Sequence, residues 1–286
     1  MVTPFGPDGS VDLEAAVELA QWLVDHGNDF LVLAGTTGES PTLDDDEKLA
    51  LWRAVCAEVR VPVLAGTSSA DTAHSARLTA KAAEAGVAGI LAVTPYYNRP
   101  SQAGVAAHMR EMSRAASGLP VILYDIPVRT GRKVAEATIV ALAQEGVIAG
   151  LKDAAGNPAA TASLIAQCPA GFEVYSGNDA DTLPLLAVGA VGTISVESHW
   201  AGELVRDMIV AFSKGDLETA RAANARLIPS HRFQSSDEAP NPIPAKAAMR
   251  VLGLRVGSCR SPMAPEPPGL EDQARSLLAD LGHLPR

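Results

Sequence analysis

The sequence predicts an α/β chain of the (β/α)8-barrel class with a C-terminal helical appendage. Short apolar runs alternate with segments of helical periodicity, giving about eight strand–helix units. The runs are continuous in apolar character, as strands covered on both faces require. The GxGxxG fingerprint of a nucleotide-binding doubly wound sheet follows none of them. A length of 286 residues suits one such barrel with an addition.

In chain order, residues 2–5 form the first expected strand, cut short where Gly6 and Pro7 turn the chain. So abrupt a start implies that this strand is truncated or that the natural start lies upstream. A helix follows over 11–26, where Val11, Ala15, Leu19 and Leu23 recur with helical spacing and Gly27 ends it. Residues 30–35, FLVLAG, make the second strand. Further strands are expected at 62–66, 88–93, 119–124, 147–152, 172–175 and 191–196. The helices between them lie at 44–59, 72–85, 102–116, 135–144, 158–166 and 181–188. After residue 215 the strands stop, and helical patterns occupy 216–227, 245–252 and 270–281. Proline-rich connectors separate them at 240–244 and 261–268. The domains read as a catalytic barrel over 1–215 and a helical domain over 216–286.

A formal net charge of -10 argues against nucleic acid or an anionic membrane as partner. There is no basic-then-apolar leader and no apolar run of membrane-spanning length, so the chain reads as cytoplasmic. Cys56, Cys168 and Cys259 lie far apart without a CxxC, which indicates reduced thiols and no zinc site. The six histidines lack metal-ligand spacing, so no metal is expected.

Barrel enzymes gather their chemistry just beyond the C-terminal ends of the strands. There, VIAGLKDAAG (147–156) ends an apolar run in Lys152. An amine held in a poorly solvated pocket gives up its proton and attacks a carbonyl carbon, the chemistry of Schiff-base lysines. One strand earlier, PVILY ends in Tyr124, placed to donate a proton beside Lys152. After the second strand, GTTGES (35–40) offers the hydroxyls and backbone N–H groups of Thr36 and Thr37 to a carboxylate.

GTTGES, TPYYNRP (94–100), YDIPVRTG (124–131), GLKDAAG (150–156) and SGND (176–179) occur in the order and spacing of the dihydrodipicolinate synthase family of pyruvate-dependent lyases, which the chain resembles. The likeness spans nearly the whole chain, PNPIPAK (240–246) included. It implies an aldol condensation of pyruvate with aspartate semialdehyde in the diaminopimelate and lysine pathway. No cofactor is implied beyond the covalent Schiff base of pyruvate on Lys152.

By matching position, Tyr124 shuttles protons to and from Lys152, and Thr37 is the relay hydroxyl. Tyr97 completes the relay from the neighbouring subunit of a tight dimer, within a homotetramer. Arg129 binds the carboxylate of the second substrate, and Gly177 and Ile194 line the pyruvate pocket through their backbone. The family typically has asparagine where Asp125 stands. Where lysine-inhibited members carry histidines after GTTGES, this chain has Asp45 and Lys48; where they carry asparagine and glutamate after the third strand, it has Ala70 and His74. Tyr96 is retained, and the resemblance therefore implies an enzyme that lysine does not inhibit.

Two other functions fit parts of this pattern. A lyase for sialic acid or a keto-sugar acid would share Lys152, Tyr124 and the threonines, while Arg129 favours a short carboxylated aldehyde. A non-catalytic keto-acid-binding barrel would not need Lys152 and Tyr124 together.

Overall fold

The structure, a computed structural model, describes residues 1–285. The chain divides into two compact units, residues 1–62 with 196 onward, and residues 63–195.

In the first unit the expected strand over 2–5 does not form. Phe5 makes only an isolated antiparallel bridge to Val11. Pro4 has no N–H to give a ladder, and the chain turns at once. The segment is buried all the same, and its polar groups find other partners. The Val2 N–H donates to His199 Nε2 (3.0 Å), the Thr3 hydroxyl to Gly38 O (2.6 Å) and the Phe5 N–H to Val256 O (3.2 Å). Helix α1 (Leu13–Asp25) starts where the Asp12 carboxylate accepts from the Ala15 N–H, and it buries Ala15, Ala16, Leu19, Ala20 and Leu23. Strand β1 (Leu31–Leu33) is buried throughout. Helix α2 (Asp45–Glu58) opens with a capping box between Asp44 and Glu47, and the acidic residues of its first turn face the positive end of the helix dipole.

The second unit holds β2 (Val63–Gly66), α3 (Thr72–Glu84), β3 (Gly89–Val93), α4 (Gln102–Ala115), β4 (Val121–Asp125), the short α5 (Pro127–Thr130), α6 (Glu136–Gln144), β5 (Gly150–Asp153), α7 (Pro158–Gln167), β6 (Glu173–Ser176), α8 (Thr182–Ala187) and β7 (Gly192–Thr193). Strands β2 to β7 pair parallel in chain order, with Ile90 opposite Val121, Tyr124 opposite Lys152 and Lys152 opposite Tyr175. Every residue of β4 is buried, which accounts for its unbroken apolar run. Side chains of Asp71, Ser101 and Asn157 accept the first free N–H groups of α3, α4 and α7. At four residues, α5 is too short to show a period, and the pattern of the sequence passes over it.

The first unit resumes with α9 (Ser198–Ser213), α10 (Leu217–Phe233), α11 (Ile243–Val251) and α12 (Leu270–Leu281). Helix α9 was not expected. Its backbone breaks at Ala201 (φ -128°), which disturbs the apolar period where the helix begins. Helix α10 runs six residues past its expected end at 227 and carries Pro229 within it. Packing against α9 overrides the proline: Trp200 Nε1 donates to Ser230 Oγ (3.0 Å), His231 Nε2 meets Glu197 Oε1 (3.1 Å), and Phe233 lies edge-on to Trp200. Ala239, Ile243, Ala247, Cys259 and Leu270 pack as one apolar cluster that binds α11 and α12 together.

Candidate active site

Lys152 and Tyr124 stand opposite each other on β5 and β4, near the carboxyl ends of both strands. The Lys152 Nζ lies over the Tyr124 ring, 4.2 Å from its centroid. Tyr124 is buried, and Lys152 is half-buried, enclosed yet reachable. Burial is the largest influence on the amine and brings its pKa down to about 8. The carboxylate of Asp179 opposes that shift, and the guanidinium of Arg129 adds to it.

The neighbouring strands fix this geometry. Thr94 donates to Tyr124 O through both its N–H (3.0 Å) and its hydroxyl (3.1 Å). The Gly177 N–H donates to Asp153 O (2.7 Å), which sets the turn after β6 against Lys152. A side chain at Gly177 would put its Cβ 3.0 Å from Lys152 Cγ and 3.1 Å from Cε, so glycine is what lets the lysine stem pass. The Ile194 N–H donates to Ser176 O (2.8 Å), tying the end of β7 to the same turn.

Arg129 sits exposed on α5. The stretch that carries it is closed at its base by Asp125, whose fully buried carboxylate pairs with Lys133 Nζ (2.5 Å) and accepts from the Val134 N–H (3.3 Å). Asp125 and Asp153 are cross-strand partners flanking Tyr124 and Lys152. Asp153 is satisfied by the Thr161 hydroxyl (2.5 Å) and the Ala155 N–H (2.9 Å).

Tyr97 stands apart from this group, 93% exposed and with φ at +70°, a left-handed conformation unusual for an aromatic residue. Its loop is pinned just after it. Asn98 Nδ2 donates to Ala70 O (3.0 Å), and the Arg132 guanidinium donates to Arg99 O (3.0 Å).

Thr36 and Thr37 belong to the first unit, in the loop after β1, where both are half-buried. The loop is a tight turn in which the Ser40 N–H donates to Gly35 O (3.2 Å). A Cβ at Gly38 would come within 3.0 Å of Ala34 N, so the turn admits glycine alone there. The Thr37 Oγ1 accepts from Asn241 Nδ2 (3.0 Å).

The second unit thus sets Gly177 against Lys152 and Tyr124, ties Ile194 to the same turn and brings the charge of Arg129 to bear on the amine, while Tyr97, expected to serve a neighbouring subunit, faces solvent. Sequence reading missed Asp179, Asn241 and the Asp125–Lys133 pair. Asp179 stands in SGND and Asn241 in PNPIPAK, so both lay within stretches the sequence singled out, but neither was given a role there.

A lysine of lowered basicity against a tyrosine at the carboxyl ends of parallel strands, in an alternating β/α chain, defines the class: a lyase of the (β/α)8 fold with C-terminal helices. The model of the dihydrodipicolinate synthetase family matches residues 1–281, and the chain belongs to that family. The 4-hydroxy-tetrahydrodipicolinate synthase of Moorella thermoacetica is 48% identical over 92% of this chain and 90% of its own length. The Bacillus subtilis enzyme of that name is 44% identical over 99% of this chain and 97% of its own length. Among solved structures, a dihydrodipicolinate synthase of Bacillus anthracis is similar with a TM-score of 0.94 at 40% identity, over 100% of this chain and 97% of that one. That of Acinetobacter baumannii, solved with pyruvate, gives 0.93 at 33% identity over 99% and 97%.

Proposed function

We propose that the chain is a 4-hydroxy-tetrahydrodipicolinate synthase, which condenses pyruvate with aspartate semialdehyde on the route to diaminopimelate and lysine. The observation that carries the reading is Lys152, its pKa lowered to about 8, held against Tyr124. Neutral Lys152 attacks the ketone carbon of pyruvate, and the carbinolamine loses water to give an iminium. The iminium is an electron sink, so a methyl proton leaves and an enamine forms. The enamine carbon adds to the aldehyde of aspartate semialdehyde. The amino group of that substrate then displaces Lys152, which leaves as the free amine while the ring closes. Every step is covalent chemistry at the lysine, and the reading calls for no other cofactor.

The other roles follow. Tyr124, Thr37 and Tyr97 pass protons to and from the reacting atoms. Thr36 and Thr37 hold the pyruvate carboxylate, and the backbone at Gly177 and Ile194 lines its pocket. Arg129 receives the carboxylate of aspartate semialdehyde. The exposed, left-handed Tyr97 supports a relay completed across a subunit contact, in a homotetramer built as a dimer of tight dimers. Residues 1–215 carry this machinery and 216–286 form the helical domain. No helix among the described residues is long and apolar enough to cross a membrane, and a cytoplasmic enzyme fits the pathway.

The test is reductive trapping. Incubation with pyruvate and borohydride should leave an adduct on Lys152, and Lys152→Ala should abolish it without unfolding the protein. Tyr124→Phe should lower turnover on the order of 10²-fold, the usual scale of general acid–base catalysis. Trapping at the parent level in Lys152→Ala ends the assignment, and turnover of sialic acid instead of aspartate semialdehyde redirects it.

A further inference from the structure

The mechanism leaves the PNPIPAK segment without a task, and this segment makes two side-chain contacts with the GTTGES loop. Asn241 Nδ2 donates to Thr37 Oγ1 (3.0 Å), across 204 positions of sequence. Two residues beyond Thr37, Glu39 Oε1 pairs with Lys246 Nζ at 2.8 Å, and both side chains are buried. Lys246 also donates to Ser258 O (2.9 Å), and the Arg260 N–H donates to Glu39 Oε2 (2.8 Å). Glu39 has φ at +57°, a conformation that a residue with a side chain keeps only where its surroundings impose it. The ion pair therefore fixes the far end of the loop, and the Asn241 amide reaches the hydroxyl itself.

A threonine hydroxyl has one proton and two lone pairs. An amide N–H does not ionise in this range, so it occupies one lone pair without exchanging a proton. With that lone pair taken, the hydroxyl's own proton must point to another acceptor, and its second lone pair stays open to receive one. A relay through Thr37 then has a set direction. Asn241 is rigid enough to enforce it: it is 7% exposed, its backbone N–H donates to Ser235 Oγ (3.2 Å), and α11 begins two residues later, anchored by Lys246.

We propose that Asn241 is a positioning residue, which orients the Thr37 hydroxyl for proton transfer and acts from the turn before α11, far away in sequence. The proposal rests on the reading of Thr37 as the relay hydroxyl and adds to it the group that aims it.

The test compares Asn241→Asp and Asn241→Ala in the parent and in a Thr37→Val background, with folding checked by circular dichroism and thermal melting. Asp has the size of Asn but only accepts, so it turns the hydroxyl proton towards itself. Ala leaves the hydroxyl unaimed. We expect Asn241→Asp to lower kcat about tenfold, the scale of one misplaced hydrogen bond, with the KM for pyruvate within about twofold. Asn241→Ala should lose less, and neither change should cost anything further once Thr37 is valine. A residue that merely packs gives the opposite order, since Asp fills the site and Ala does not. That order, equal losses in both backgrounds, or parent-level kcat in Asn241→Asp overturns the proposal. Should Asn241→Asp fail to fold, Asn241→Ala decides by the same cycle: a loss that persists beside Thr37→Val overturns it. A Thr37→Val enzyme as fast as the parent removes the relay reading itself, and the proposal with it, a result distinct from lost coupling.

Discussion

Lys152 feels charges of opposite sign, Asp179 and Arg129, and each moves its titration in a known direction. The amine attacks only when unprotonated, so the rate of adduct formation should rise with pH up to about 8 and then level. Arg129 disfavours the ammonium; Arg129→Ala should therefore raise the pKa and move the midpoint of borohydride trapping to higher pH. Asp179 favours the ammonium, and Asp179→Asn should move it lower. Trapping rates across about pH 6 to 10, roughly two units either side of that midpoint, measure both shifts; shifts in one common direction would refute the electrostatic account. A second expectation at this scale concerns lysine. Ala70 and His74 present no carboxylate for its ammonium, and Lys48 is itself buried. Millimolar lysine should leave the initial rate unchanged, whereas half-maximal inhibition below about 1 mM would show a working site.

At the scale of elements, the stretch between β4 and α6 gains its shape from one pair. Asp125 and Lys133 close residues 126–132 at the base, and Arg129 rides on that stretch. Burial pushes the Asp125 carboxyl up, and the hydrogen bond from Lys133 opposes the push. In Lys133→Met the carboxylate loses its cation and takes up a proton more readily, and the stretch is freed at one end. The KM for aspartate semialdehyde should rise about fivefold, the scale of a charge-assisted hydrogen bond lost through slack, while that for pyruvate stays within about twofold. Adding Asp125→Asn should recover most of the loss, because an amide oxygen still accepts from the Val134 N–H without needing a cation. Steady-state kinetics with each substrate varied in turn distinguishes this from a general disturbance, which would raise both constants together.

For the whole molecule, each compact unit contains a histidine buried in neutral form. His199 accepts from the Val2 N–H in the first unit, and burial brings its pKa to about 3. His108 lies between the Ser68 and Thr72 hydroxyls in the second, at about 4 for the same reason. In the unfolded chain both titrate near 6.5. Between those values the unfolded state binds more protons, so their contribution is complete above about pH 6.5 and is lost as the pH falls towards about 4 for His108 and about 3 for His199. The combined loss should be on the order of several kcal/mol. Urea unfolding at neutral pH and near pH 4.5 should show it; His199→Gln, less stable at neutral pH, should flatten the dependence. An unchanged slope would mean that carboxylates alone drive acid unfolding.

The sequence by itself determined the class of fold and the placing of Lys152 beside Tyr124. Helical and strand periods are local, and in a parallel sheet that follows chain order, consecutive strand ends become neighbours. The order of the strands alone therefore pairs Lys152 with Tyr124. Tertiary structure alone decided the rest. The chain start lost its strand to partners at His199, Gly38 and Val256, and α10 continued through Pro229 because Trp200 and Glu197 hold its last turns. The hold of Asp179 on the lysine, the Lys133 clasp and the Asn241 amide on Thr37 are likewise pairings of single side chains brought close by folding. Contacts of this kind leave no period in the sequence, since neither partner's local pattern depends on the other.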